Sequence, residues 1–295
     1  MASKTTTAFF YPMRVLSFFL LCLMGVGLVA CSTSGGTATR VVNQPRSTND
    51  SPPAARNSFP VIHVFVALCD NVNQGIVPVS ASLGNGDNPA TNLYWGAAFG
   101  VKTFLNKSKD WELVSVGQNP QPAIMERVVF RHKTRDVILV ADAYRGKEIK
   151  QATTDFLAAA SGKPGEEIKF TRQAKTFNLN LAGSADLIAY IGHDGLMDFT
   201  LSATPEKRDD RGRKTIILAC ASKQYFAKVL RKTGASPLLW TTNLMAPEAY
   251  VLSAAVDGWM KQESDEQIRL RAAQAYHRYQ NCGLKAASAL FATGW

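Results

Sequence analysis

The chain lacks several signatures that assign a function quickly. It has no block of consecutive basic residues: its 33 Lys and Arg and 23 Asp and Glu, a formal charge of +10, are spread along the sequence. Nucleic-acid binding usually needs a clustered patch, so no nucleic-acid partner is expected. There is no CxxC pair, and His63, His132 and His277 have no partner at metal-ligand spacing. No metal and no other cofactor is therefore expected. The Gly84-Asn85-Gly86 stretch lies in a long polar loop rather than between a strand and a helix, so it is not a phosphate cradle. No internal repeat is visible. Cysteine is scarce; beyond residue 58 only Cys69, Cys220 and Cys282 occur, an odd number that leaves at least one thiol outside any intramolecular disulfide.

What is present starts with a composition 46% hydrophobic and 19% charged, enough for a substantial core and against disorder throughout. Near the start, Lys4 and Arg14 precede the apolar run VLSFFLLCLMGVGLVA, which is short beside the roughly 20 residues of a membrane span and ends in Leu28-Val29-Ala30-Cys31. This resembles the lipobox of bacterial lipoproteins. The resemblance implies a signal peptide over 1–30, removal after Ala30, acylation of Cys31 and a lipid bilayer as partner; the other reading is an ordinary secretory signal with a chance cysteine. Ser32 follows where an aspartate would favour inner-membrane retention, so by resemblance the anchor belongs to the outer membrane with the domain facing the periplasm. Residues 31–58, rich in Ser, Thr, Asn, Gly and Pro, read as a flexible tether. Residues 59–295 are expected to form a single domain.

Within it, strand-like and helix-like patterns alternate. VIHVFVALC (61–69) is a β-branched, buried run closed by Asp70-Asn71, and the Gly/Asn/Pro-rich loop after it is long enough to suggest a role in function. A helix is expected over 92–106 with Asn92 as cap, then strands at 125–132 and 136–146 and a helix over 147–162 stopped by Gly162. Strands follow at 185–192 and 214–221, a helix ending at Gly234, a strand at 237–245, a helix over 246–260, and a helical tail from Asp265. The polar, basic loop between 200 and 214 has the composition of a segment open to proteolysis. Such alternation implies an α/β fold, three layers α/β/α around a mostly parallel sheet.

Two strands end in reactive side chains, IAYIGHDG at His193 and IILACAS at Cys220. Ligands gather at the carboxyl ends of parallel strands, and neighbouring strands lie about 4.8 Å apart, so the two side chains can meet over one surface point. A histidine within reach supplies the base that a cysteine nucleophile needs, and glycine beside it offers an unhindered N–H to a developing oxyanion. The bland account is a tight strand exit with a hydrogen-bonded histidine and a small buried thiol. Cys69 also ends a strand, and a Cys69–Cys220 disulfide would abolish the nucleophile.

These residues resemble the caspase-like cysteine peptidases, the group holding caspases, legumains and gingipain-type enzymes. That group has an apolar strand ending in His-Gly and then one ending in Ala-Cys, in this order. The resemblance implies a caspase-like sheet, a peptide or protein substrate, Cys220 as nucleophile, His193 as base or acid and Gly195 as oxyanion donor. Asp194 departs from the pattern by standing between the histidine and its glycine: it obstructs the scissile carbonyl, orients the imidazole, or marks a chain that keeps the fold as a non-catalytic binding or scaffolding module. Asp70, Asn71, Trp240, Thr242 and Asn243 lie at neighbouring strand ends, where turn or packing roles account for them.

Overall fold

The computed structural model describes residues 54–172 and 175–295. The signal segment, Cys31 and most of the tether lie outside the described residues. The chain opens with β1 (Val61–Ala67), whose seven side chains are all buried. A long loop leads to α1 (Val101–Lys107), the hairpin β2 (Trp111–Gln121) and β3 (Ile124–His132), β4 (Ile138–Tyr144) and α2 (Ile149–Ala160). A second hairpin, β5 (Pro164–Arg172) and β6 (Lys175–Ala182), precedes β7 (Leu187–Ile191). Then come β8 (Lys214–Leu218), α3 (Ser222–Thr233), β9 (Ser236–Thr241), α4 (Ala249–Met260), α5 (Asp265–Gln280), α6 (Leu284–Leu290) and the short β10 (Phe291–Ala292).

The main sheet runs β10-β9-β8-β7-β1-β4-β3-β2. Strands β9, β8, β7, β1 and β4 are mutually parallel, and antiparallel strands flank them on both sides. The continuous apolar runs of β1, β7 and β8 follow from this position: each has neighbours on both edges and cover on both faces, so alternation with polar residues disappears. One face packs Ile62, Val64 and Ala189 with residues of α1, α4 and α5; the other packs Phe65, Ile188 and Ile217 with α2, α3 and the β5–β6 hairpin. Helices on both faces of a mostly parallel sheet make this an α/β fold compatible with three layers.

Two departures have local causes. The expected helix over 92–106 is confined to 101–107. Asn92 is not its cap but a buried pin: its side chain bonds the Cys69 N–H and carbonyl, the Asn85 carbonyl and the Tyr94 N–H, which forces residues 92–99 into turns. The helical tail breaks before α6 at Asn281, in left-handed conformation (φ +50°), and at Gly283, also at positive φ (+84°). The loop before β8 is largely exposed and is tied down at its end, where buried Arg213 donates to the Gly183 carbonyl and to both oxygens of Asp209. Among the described residues no helix is long and apolar enough to cross a membrane.

Candidate functional site

Register brings His193 and Cys220 to the same level. Ile191 of β7 pairs with Leu218 of β8, and the ladder continues one step as Gly192 N–H donates to the Leu218 carbonyl at 3.2 Å. Each candidate residue lies two positions beyond its strand's last residue, so the two segments leave the carboxyl edge of adjacent strands at the same level. Gly192 has φ +149°, and a Cβ there would lie 2.8 Å from the Ala67 carbonyl oxygen of neighbouring β1. The glycine before the histidine therefore serves a close crossing of two backbones.

His193 is buried and tightly directed. Its carbonyl accepts from the Tyr190 hydroxyl at 2.9 Å, and its Nε2 lies 2.7 Å from Asp198 Oδ2. The same oxygen accepts the Gly75 N–H at 3.0 Å, and a side chain at Gly75 would collide with Asp198, so the long loop after β1 locks the carboxylate. A carboxylate only accepts, so Nε2 carries a proton, and in the neutral imidazole the lone pair is on Nδ1. No hydrogen bond among the described residues occupies Nδ1.

Cys220 is half-buried, and its Sγ is clasped by one residue: it accepts the Met245 N–H at 3.5 Å and donates to the Met245 carbonyl at 3.6 Å. Burial pushes the thiol above its ordinary value, the Met245 bond opposes this, and the charge of Asp194 pushes it further up. The next residue, Ala221, holds a left-handed conformation (φ +47°, ψ +33°) that a Cβ disfavours. It is kept there because its N–H donates to the Asn243 carbonyl at 2.9 Å and because Ser222 and Thr241 exchange hydrogen bonds across the turn. Helix α3 starts at the next residue, Ser222. Imidazole and thiol share no hydrogen bond among the described residues; the two groups rest apart, each held by its own partner.

Asp194 does not orient the imidazole. Its Oδ1 accepts the Leu196 N–H at 3.0 Å and caps a 3-10 turn over Gly195–Met197, while Oδ2 is buried without a partner. Burial, opposed by the Leu196 bond and aided by Asp198, raises this carboxyl to about 7. Gly195 is buried at the head of that turn, its open side filled by the Phe199 ring. The orienting residue, Asp198, is one that sequence reasoning missed, although it sits five residues beyond the histidine in the same short segment.

The neighbouring strand-end residues fix loops. Asp70 accepts from Val72 and Asn73, Asn71 bonds Val79 in both directions, Trp240 is buried in the core, and Thr242 donates to the Ala289 carbonyl. The Cys69–Cys220 disulfide is not formed: all described cysteines are free, and β7 stands between β1 and β8. Two strand spacings, about 10 Å, exceed the span of a disulfide. The Cys69 thiol is instead buried against Tyr94, where desolvation outweighs that hydrogen bond and raises it to about 11.

Comparison with protein families, with curated proteins and with solved structures finds no match to this chain.

Proposed function

We propose that the chain is an envelope lipoprotein whose domain is a caspase-like cysteine peptidase or related hydrolase. The observation that carries the catalytic reading is the level placement of His193 and Cys220 on adjacent parallel strands, with Asp198 on the far nitrogen of the imidazole. In the proposed reaction the Cys220 proton passes to His193 Nδ1 as the thiolate attacks the substrate carbonyl. The imidazolium, balanced by Asp198, then protonates the leaving amine, and water releases the acyl group from sulfur. The N–H of Gly195 is the proposed oxyanion donor. The test is hydrolysis of a peptide library by the folded domain: activity is expected to vanish in both Cys220→Ala and His193→Ala with folding preserved, and near-wild-type turnover in either removes that residue from the mechanism.

The lipobox pattern supports the anchor, with acylated Cys31 in the outer membrane and the domain facing the periplasm. Cys31→Ala is expected to change both membrane fractionation and apparent mass; unchanged fractionation and mass overturn the anchor alone.

One observation favours a second reading, a binding or scaffolding module without catalysis. The Sγ of Cys220 is engaged twice by Met245, and burial holds the thiol above its ordinary value. In that reading Cys220→Ser leaves every function of the protein intact.

A further inference from the structure

The segment that clasps the thiol also walls a cleft. Residues 242–246 leave β9, give Ala221 its acceptor through the Asn243 carbonyl and hold Cys220 Sγ through Met245. On their outer side opens a cavity of about 560 Å3 between Asn243-Leu244 and helix α6, floored by Tyr276 and lined by Ala286, Ala289 and Leu290. Tyr276 ties the two places together. Its hydroxyl accepts the Ala246 N–H at 3.1 Å, one residue beyond the Met245 that holds the thiol, and Cys282 also lines the cleft.

The lining determines what the cleft accepts. It contains no charged side chain, so a charged group entering it loses water without gaining a partner. Its threonine is engaged within the wall, donating to the Ala289 and Leu290 carbonyls, and Asn243 Oδ1 accepts the Leu244 N–H. Leu244 stands 68% exposed on its rim, an apolar surface that an apolar occupant would remove from water. Resting on the peptidase reading above, we propose that this cleft binds an apolar side chain of the peptide substrate, within two residues of the carbonyl that Cys220 attacks.

The experiment uses dipeptidyl acyloxymethyl ketones carrying Leu-Leu, Asp-Asp or Lys-Lys, with the labelling rate of Cys220 read by peptide mapping that separates it from Cys282. Leu-Leu is expected to label Cys220 at least tenfold faster than either charged probe. Ala289→Trp, on the exposed wall of the cleft, is expected to lower the Leu-Leu rate about tenfold relative to the same variant's iodoacetamide rate, a ratio that cancels any general loss of folding. A charged probe that labels faster, or an unchanged ratio in Ala289→Trp, overturns the cleft assignment and leaves the dyad standing. Failure of every probe and of iodoacetamide to label Cys220 overturns the peptidase reading and this proposal with it.

Discussion

Among the described residues, two histidine–carboxylate pairs begin alike and are finished differently. His63 on β1 places Nε2 3.0 Å from Asp142, and His193 beyond β7 places Nε2 2.7 Å from Asp198. At His63 the other nitrogen accepts the Ala182 N–H at 3.1 Å, and Asp142 is gripped by Arg127, which also reaches Glu166. Burial alone would raise Asp142, but the hydrogen bonds of Arg127 and His63 outweigh it and hold the carboxylate below its usual range. Both ring nitrogens of His63 and both oxygens of Asp142 are engaged. At His193 the second nitrogen is open, a thiol stands level with it, and a neighbouring carboxyl oxygen is buried unpaired. A satisfied network rigidifies a fold, whereas an unfinished one beside a nucleophile is available for chemistry.

This contrast breaks most visibly at Asp142. Asp142→Ala strands Arg127 and His63 in the interior and is expected to cost about 3–5 kcal/mol in urea denaturation; a loss below about 1 kcal/mol would deny the network its structural role. Next in size is the pH dependence of Asp194, which stays neutral in the folded chain up to about pH 7 but ionises near pH 4 when unfolded. A raised folded value means the stabilisation is fully present below pH 4 and lost as pH rises through 7, so Asp194→Asn should gain on the wild type by about 3 kcal/mol across that window. Parallel stability curves for the two proteins would show that Asp194 is not held neutral.

Asp198 should separate chemistry from stability. Its side chain is about one-third exposed, so Asp198→Asn is expected to change stability by less than about 1 kcal/mol while slowing His193-dependent reaction of Cys220 about tenfold. A stability loss matching that of Asp142→Ala would make the two pairs equivalent. The smallest expected effect is at Ala221: glycine relieves the left-handed strain but gives the unfolded chain more freedom, so Ala221→Gly should lie within about 1 kcal/mol of the wild type.

How much of this could be read from the sequence depended on burial. Strands β1, β7 and β8 announce themselves because central parallel strands are apolar throughout, and with them come the positions of His193 and Cys220. Of the hairpin strands only β3 did so: β2 carries Gly117, Asn119 and Pro120 on a largely exposed edge, and β5 and β6 bury only one side, Phe170 on the first and Leu179 and Leu181 on the second. Asn92 looked like a helix cap because capping and loop-pinning use the same side-chain chemistry, and only the fold shows that its partners lie back at Cys69. Asp198 was obscured by Asp194, the nearer carboxylate in sequence, because a 3-10 turn sends the first inward and returns the second to the imidazole.

The most direct measurement is the iodoacetamide labelling rate of Cys220 from pH 5 to 9, in the wild type and in His193→Ala, with the buried Cys69 as internal reference. Labelling of Cys220 that exceeds that of Cys69 throughout and falls at least tenfold at pH 7 in His193→Ala is the result predicted for an open nitrogen beside a nucleophile. Equal rates for Cys220 with and without His193 would contradict the pairing and make this histidine a structural residue like His63.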